Sequence, residues 1–217
     1  PISRLVSLEN TSNRGGGSCY DFSEIQAIRT ACNKYQLGLH LDGARLWNAL
    51  IAKNESALQY GQVFDSISVC LSKSLGCPVG SVLVGSTSFI KKARRIRKVF
   101  GGGMRQAGFL AAAGIYALDH HLARLKTDHL HAKTLESTLT GLPYVKKVLP
   151  VETNIVIFEL LNGLSAPALV SQLKEKGILA YAIAPNRVRL VTHLDISSPM
   201  IEKTTEELKK VNYAAGY

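Results

Sequence analysis

Residues 65–85 read DSISVCLSKSLGCPVGSVLVG, and the fold follows from how this stretch is punctuated. Ile67, Val69 and Leu71 alternate with small or polar residues, the period of a strand with one face in a core. Gly76, Pro78 and Gly80 then break the pattern before a second apolar run, 82–84. Lys73 stands at the end of the first run. That position predicts a half-buried lysine, and an amine that loses hydration becomes a better nucleophile toward a carbonyl group. A surface lysine after a strand is the competing reading, and this stretch does not choose between them.

Upstream the same periodicity repeats. Residues 4–8 read as a short strand, and 9–17 (ENTSNRGGG) as a turn-rich loop that lacks the Lys-Ser/Thr spacing of a phosphate-binding P-loop. Ser23 and Gln26 form a capping-box pattern for a helix ending near Gly38. Residues 37–41 then read as a buried strand, with Asp42 at its carboxyl end and a helix from about Ala44. Strand, helix, strand, helix predicts a parallel sheet covered by helices, in which ligands meet the carboxyl ends of the strands. Asp42 and Lys73 both fall at that edge. A carboxylate there stabilises a nearby cation, or simply caps the helix that follows. Arg45, three residues on, suits a carboxylate ligand or a solvated helix face.

Residues 86–88 offer caps for a helix through Lys98, in which KKARRIRK carries six basic residues in eight. Its apolar positions are expected to pack while the charges face water. Without interleaved aromatic residues to stack bases, a nucleic-acid role is disfavoured. GGGMRQAG (101–108) sets Arg105 at the start of the next helix, where an anion would also meet the helix N-terminus. The apolar helix 109–118 is expected to be buried. From about residue 124 the pattern changes to a long polar-faced helix, a strand at 154–160, a helix at 166–176, strands at 178–183 and 187–192, and an amphipathic helix over 198–211. On its strand Arg189 reads as facing either solvent or a cleft, solvent being the safer choice. His120, His121, His129 and His131 are expected on a polar helix face, and no zinc site is read.

The bulk properties agree with a globular chain. It has 217 residues, 46% hydrophobic and 19% charged, with a formal net charge of +10. That charge permits a polyanion partner and equally suits a phosphorylated cofactor with carboxylate substrates. Four cysteines without a C-x-x-C pair suggest a reduced, intracellular protein. The N-terminus lacks the layout of a signal peptide, and no apolar stretch is long enough to span a bilayer, so a soluble protein is expected.

Four ordered motifs, HLDGARLWNA, CLSKSLGCPVGS, ARRIRKVFGGGMRQAGFLAAAGIYAL and RLVTHLD, make the chain resemble the low-specificity L-threonine aldolases. The resemblance covers residues 4–195. It implies an α/β fold of the aspartate aminotransferase-like type, fold type I among pyridoxal phosphate enzymes. Residues 1–124 would be a portion of the cofactor-binding large domain with a mostly parallel sheet, and 125–217 a small C-terminal α/β domain. It further implies that Lys73 carries pyridoxal 5'-phosphate as the internal aldimine and that Asp42 pairs with the ring nitrogen. Arg45 would serve cofactor and substrate carboxylate, Arg105 the cofactor phosphate, and Arg189 the substrate carboxylate, against the solvent reading above. The implied reaction is retro-aldol cleavage of L-threonine or L-allo-threonine to glycine and acetaldehyde, through an external aldimine and a quinonoid. The implied assembly is a cytoplasmic homo-oligomer, a dimer of dimers, with neither a nucleic-acid nor a membrane partner. The alternatives are another fold type I activity, an aminotransferase or β-eliminating lyase, or a non-catalytic chain associating with full-length subunits. The family pattern has His where this chain has Ser12 and Gly where it has Ser74. The chain is also expected to lack the family's N-terminal part, which supplies the histidine that stacks on the pyridine ring.

Overall fold

A computed structural model of the chain describes residues 2–211, so the last residues of the expected small domain, 212–217, lie outside it. The described chain divides into two compact units: residues up to Thr11 with Cys19–Leu125, and Ser12–Ser18 with the residues from Lys126 onward.

In the first unit β1 (Leu5–Glu9), α1 (Phe22–Lys34), β2 (Gly38–Gly43), α2 (Leu46–Lys53), α3 (Ala57–Val63) and β3 (Ser66–Cys70) follow one another, all but α3 where the periodicity predicts them. Then β4 (Ser81–Gly85), α4 (Thr87–Val99) and α5 (Gly108–His120) follow. The strands lie in the order β1-β2-β3-β4. The first three are parallel, and β4 joins antiparallel. Register places Leu8, Leu41 and Ile67 side by side, and Glu9, Asp42 and Ser68 likewise one residue on. Successive residues point to opposite faces, so the first row enters the core while the second turns away from it. Leu39, Leu41, Ile67 and Val69 pack with Ile25, Leu46, Tyr60 and Phe64.

Tyr60 is fully buried within that core, and its hydroxyl donates to Glu55 Oε2 at 2.7 Å and accepts from Asn10 Nδ2 at 3.1 Å. The segment leaving β1 is thereby tied to α3. Burial, then the neighbouring Glu55, raises the phenol's pKa well above its ordinary value. The start of α1 differs from the sequence pattern: Asp21 is the cap, and its N–H donates to Glu24 Oε2 at 3.4 Å, so Ser23 already lies inside the helix.

Two burial expectations fail here. Helix α4 buries none of its residues, and α5 buries only Gly114 and Ala117. Phe109 at the start of α5 is 86% exposed. The cause is positional. β4 is the last strand of the sheet and is exposed along its whole length, so α4 packs on an edge rather than on a covered layer.

In the second unit α6 (Leu125–Thr140) precedes β5 (Val145–Val148), β6 (Ile155–Leu160), α7 (Ala166–Glu175), β7 (Tyr181–Ala184), β8 (Arg187–Val191) and α8 (Ser198–Lys210). Its sheet is antiparallel throughout, ordered β5-β6-β8-β7. Val156, Phe158 and Leu160 of β6 join Val188 and Leu190 of β8 against Leu135, Leu139, Leu169 and Leu208 of the helices. The other face of β6 meets the glycine loop 12–18. There Thr153 Oγ1 donates to Gly17 O at 2.7 Å, and Leu149 and Ile157 lie beside Gly16. Gly17 has φ +79°, and a Cβ built on it would run into Thr153 Oγ1, so only glycine fits. Contacts of this kind assign the loop to the second unit despite its place early in the chain.

The histidines of α6 are not solvated as expected. His131 is buried, with Nε2 at 3.2 Å from Ser198 Oγ. His129 is half-buried, and that burial pushes its pKa down to about 4. Among the described residues no helix is long and apolar enough to cross a membrane, and all four cysteines are free thiols.

Candidate active site

Asp42 is the penultimate residue of β2 and is exposed. Its Oδ1 accepts the N–H of Ala44 at 3.0 Å. That bond makes a tight Asx turn off the strand and is not a helix cap, since the residue in the cap position of α2 is Arg45. Arg45 is half-buried there, three residues after Asp42.

Lys73 lies three residues beyond the end of β3, the strand that neighbours β2, and therefore at the same carboxyl edge as Asp42. It is exposed, which corrects the half-buried environment expected of it. The reason is local. The chain leaves β3 through a loop closed by Leu71 N–H to Gly80 O at 3.0 Å and Cys77 N–H to Leu71 O at 3.2 Å, and it sends Ser74, Leu75 and Cys77 inward instead. Ser74 is buried and its Oγ accepts from Asn48 Nδ2 of α2 at 2.9 Å. A serine where the family pattern has glycine thus anchors the loop rather than crowding the lysine. Among the described residues the Lys73 amine makes no hydrogen bond or ion pair.

Arg105 is exposed on the glycine-rich connection between α4 and α5, three residues before the first helical residue of α5 instead of inside its first turn. Arg189 belongs to the second unit. Its Nη1 donates to Asn13 Oδ1 at 3.0 Å, and its guanidinium lies 5.7 Å from the Tyr181 ring centroid. It lines a cavity of about 490 Å³ together with Asn13, Arg14, Tyr181 and Arg187, which removes the solvent reading. Asn13 and Tyr181 were not singled out in the sequence. Asn13 sits in a loop that reads as mere turn, and nothing local signals a partner so distant in the chain.

Whether the first unit's residues suit an aldehyde-bearing, phosphorylated pyridine is decided by their donor chemistry. A primary amine and a carboxylate oxygen without partners among the described residues stand at the ends of adjacent parallel strands, so the donor set fits.

Residues 1–162 match the family described as beta-eliminating lyase. The chain belongs to that family. It is 41% identical over 207 residues to low-specificity L-threonine aldolase 1 of Arabidopsis thaliana, covering 94% of this chain and 58% of that one. Among solved structures it resembles the threonine aldolase of Leishmania major, with TM-score 0.79 at 20% identity over 96% of this chain and 61% of that one. The histidinol-phosphate aminotransferase of Clostridium acetobutylicum follows with TM-score 0.69 at 15% identity, covering 95% and 63%. The α/β architecture is thus the one that threonine aldolases share with aminotransferases, fold type I. The chain spans between half and two thirds of the length of these relatives.

Proposed function

We propose that this beta-eliminating lyase family chain serves a pyridoxal phosphate-dependent aldehyde-lyase that cleaves L-threonine or L-allo-threonine to glycine and acetaldehyde. The observation that carries the reading is the placement of Lys73 and Asp42 at the carboxyl edge of two adjacent parallel strands, in a chain whose relative bears an aldolase name. In this reading the first unit is a portion of the cofactor-binding domain and the second a small C-terminal domain.

When bound, pyridoxal phosphate supplies an aldehyde for an amine and an electron sink for the pair left on Cα when Cα–Cβ breaks. Lys73 Nζ, exposed and unpaired, anchors the cofactor through its amine. The open oxygen of Asp42 holds a proton on the ring nitrogen by charge attraction. Arg105, on backbone that glycines keep uncluttered, meets the phosphate. Arg45, three residues after Asp42 in the first unit, is a guanidinium for the substrate carboxylate, and Arg189 of the second unit is likewise read as a carboxylate-binding residue. The same reading takes the enzyme as a cytoplasmic homo-oligomer.

The test is to add pyridoxal phosphate, reduce with borohydride and map the labelled peptide, then assay threonine. Label on Lys73 that disappears in Lys73→Ala, with glycine and acetaldehyde as products, is expected. A keto acid with a transferred amine would move the reading to an aminotransferase, and label elsewhere would remove Lys73 from its role.

A further inference from the structure

The cavity in the second unit carries more positive charge than one carboxylate answers. Arg187 is already neutralised by an ion pair with Glu159, the residue across from it in the sheet. Among the described residues Arg189 has no ion pair: its Nη1 goes to the uncharged amide oxygen of Asn13, it stacks on Tyr181, and its buried Nε has no hydrogen-bond partner. Arg14 lines the same cavity, is exposed, and has no hydrogen bond or ion pair among the described residues. Two guanidinium charges therefore face one space without a counter-charge among the described residues.

Their spacing is set by the fold. Ser12 N–H donates to Ser18 O at 2.9 Å, Gly17 N–H to Ser12 O at 2.8 Å and Gly15 N–H to Ser12 Oγ at 3.1 Å, which closes the loop on itself. The Thr153–Gly17 bond fastens it to the sheet, and the Asn13–Arg189 bond fixes the residue next to Arg14. The Arg14 backbone is thus held on the cavity wall while its side chain is left to reach inward. A volume of about 490 Å³ lies within the range of small-molecule sites.

We infer that this cavity takes a small ligand with two anionic groups, one on Arg189 and the second on Arg14. The inference rests on the reading of Arg189 as the carboxylate-binding residue and deepens it. Beside threonine, whose single carboxylate answers Arg189 alone, the proposed reaction would then accept β-hydroxy-α-amino acids whose β-substituent ends in a carboxylate or phosphoryl group, which answer both charges.

The experiment titrates the full chain with butyrate, succinate and 3-phosphonopropionate at physiological salt, followed by NMR, and repeats it on Arg14→Gln and Arg189→Gln after circular dichroism confirms that each is folded. Succinate is expected to bind about fivefold tighter than butyrate, the size of one partly exposed ion pair. That advantage should vanish in Arg14→Gln while butyrate binding is unchanged. The phosphonate arm tells which anion suits Arg14 better. Equal affinity for butyrate and succinate, or a succinate advantage that survives Arg14→Gln, overturns the second anion site and leaves the carboxylate role of Arg189 standing. Butyrate binding that is absent, or indifferent to Arg189→Gln, removes that role and the inference with it.

Discussion

Arg189 Nη1 and Asn13 Oδ1 are 3.0 Å apart across 176 residues of chain, and this bond decides where the guanidinium can point. Replacing Asn13 by Ala removes the acceptor and leaves a second donor of a partly buried arginine without a partner. Net loss of a hydrogen bond to a charged group amounts to roughly 1.5–3 kcal/mol, part of which is recovered when Arg189 relaxes toward water. The expected result is a KM for the amino-acid substrate raised about tenfold with kcat little changed, the signature of lost ground-state binding. Asn13→Asp should raise it further, since a carboxylate would compete with the substrate's own. Steady-state kinetics of the cofactor-loaded protein decides; an unchanged KM in both variants would remove Asn13 as a positioning residue.

Asp42→Asn separates charge from shape. The amide oxygen still accepts the Ala44 N–H, so the turn into α2 should be kept and the melting temperature should move by no more than a degree or two. The negative charge that would keep the ring nitrogen protonated is gone. Turnover should therefore fall by about 10²–10³-fold, as when other single electrostatic contacts to a developing charge are removed. A variant that loses activity only in proportion to its loss of folded protein would show a structural role instead.

Asp65 receives three bonds: Arg29 Nη1 at 2.8 Å, Arg29 Nη2 at 3.1 Å and the Leu39 N–H at 2.8 Å. The hydrogen bond from Arg29, outweighing burial, holds its carboxyl below the ordinary value. Because the folded pKa is the lower one, the stabilisation is complete above the unfolded value and is lost as pH falls through the folded value. The pair is partly exposed, so Arg29→Ala should cost about 0.5–1 kcal/mol and Asp65→Ala, which also orphans the Leu39 N–H, about 1–2 kcal/mol. Urea titrations at pH 7 should order the two variants this way, and high salt should shrink the Arg29 effect.

Where periodicity acts alone, the sequence is a faithful guide: β2 and β3 alternate cleanly, and Asp42 and Lys73 are placed at their ends without any tertiary knowledge. It misses elements where local chemistry breaks the period. β5 holds two lysines between its valines and a register shift against β6, so no alternation survives. α3 is short and contains Gly61, although its capping box, Ser56 with Gln59, was readable. Burial is legible only when the neighbours are. The apolar residues of α5 call for a core, but only Gly114 and Ala117 are buried, Ala117 in a small cluster with Leu75, Cys77 and Leu125. Arg189 could not be read inward because its partner, Asn13, comes from a loop that joins the second unit through Gly17 and Thr153, contacts that no local window contains.

His129 gives the second unit a pH dependence of its own. Burial lowers its pKa to about 4, below the ordinary imidazole value near 6.5. The folded state therefore binds fewer protons than the unfolded chain between these values, and stability falls as pH drops from about 6.5 toward 4, then levels off. The full shift would correspond to about 3 kcal/mol, and partial contact with water reduces the expected loss to about 2 kcal/mol. His129→Gln keeps the size and a polar edge but cannot take the proton, so its stability curve should stay flat through this window where the parent slopes. Asp65 titrates lower still and contributes little to the slope above pH 4.5. Denaturant midpoints measured in half-unit steps from pH 7 to 4.5, with and without the substitution, test this: a slope that persists in His129→Gln would assign the dependence to another group.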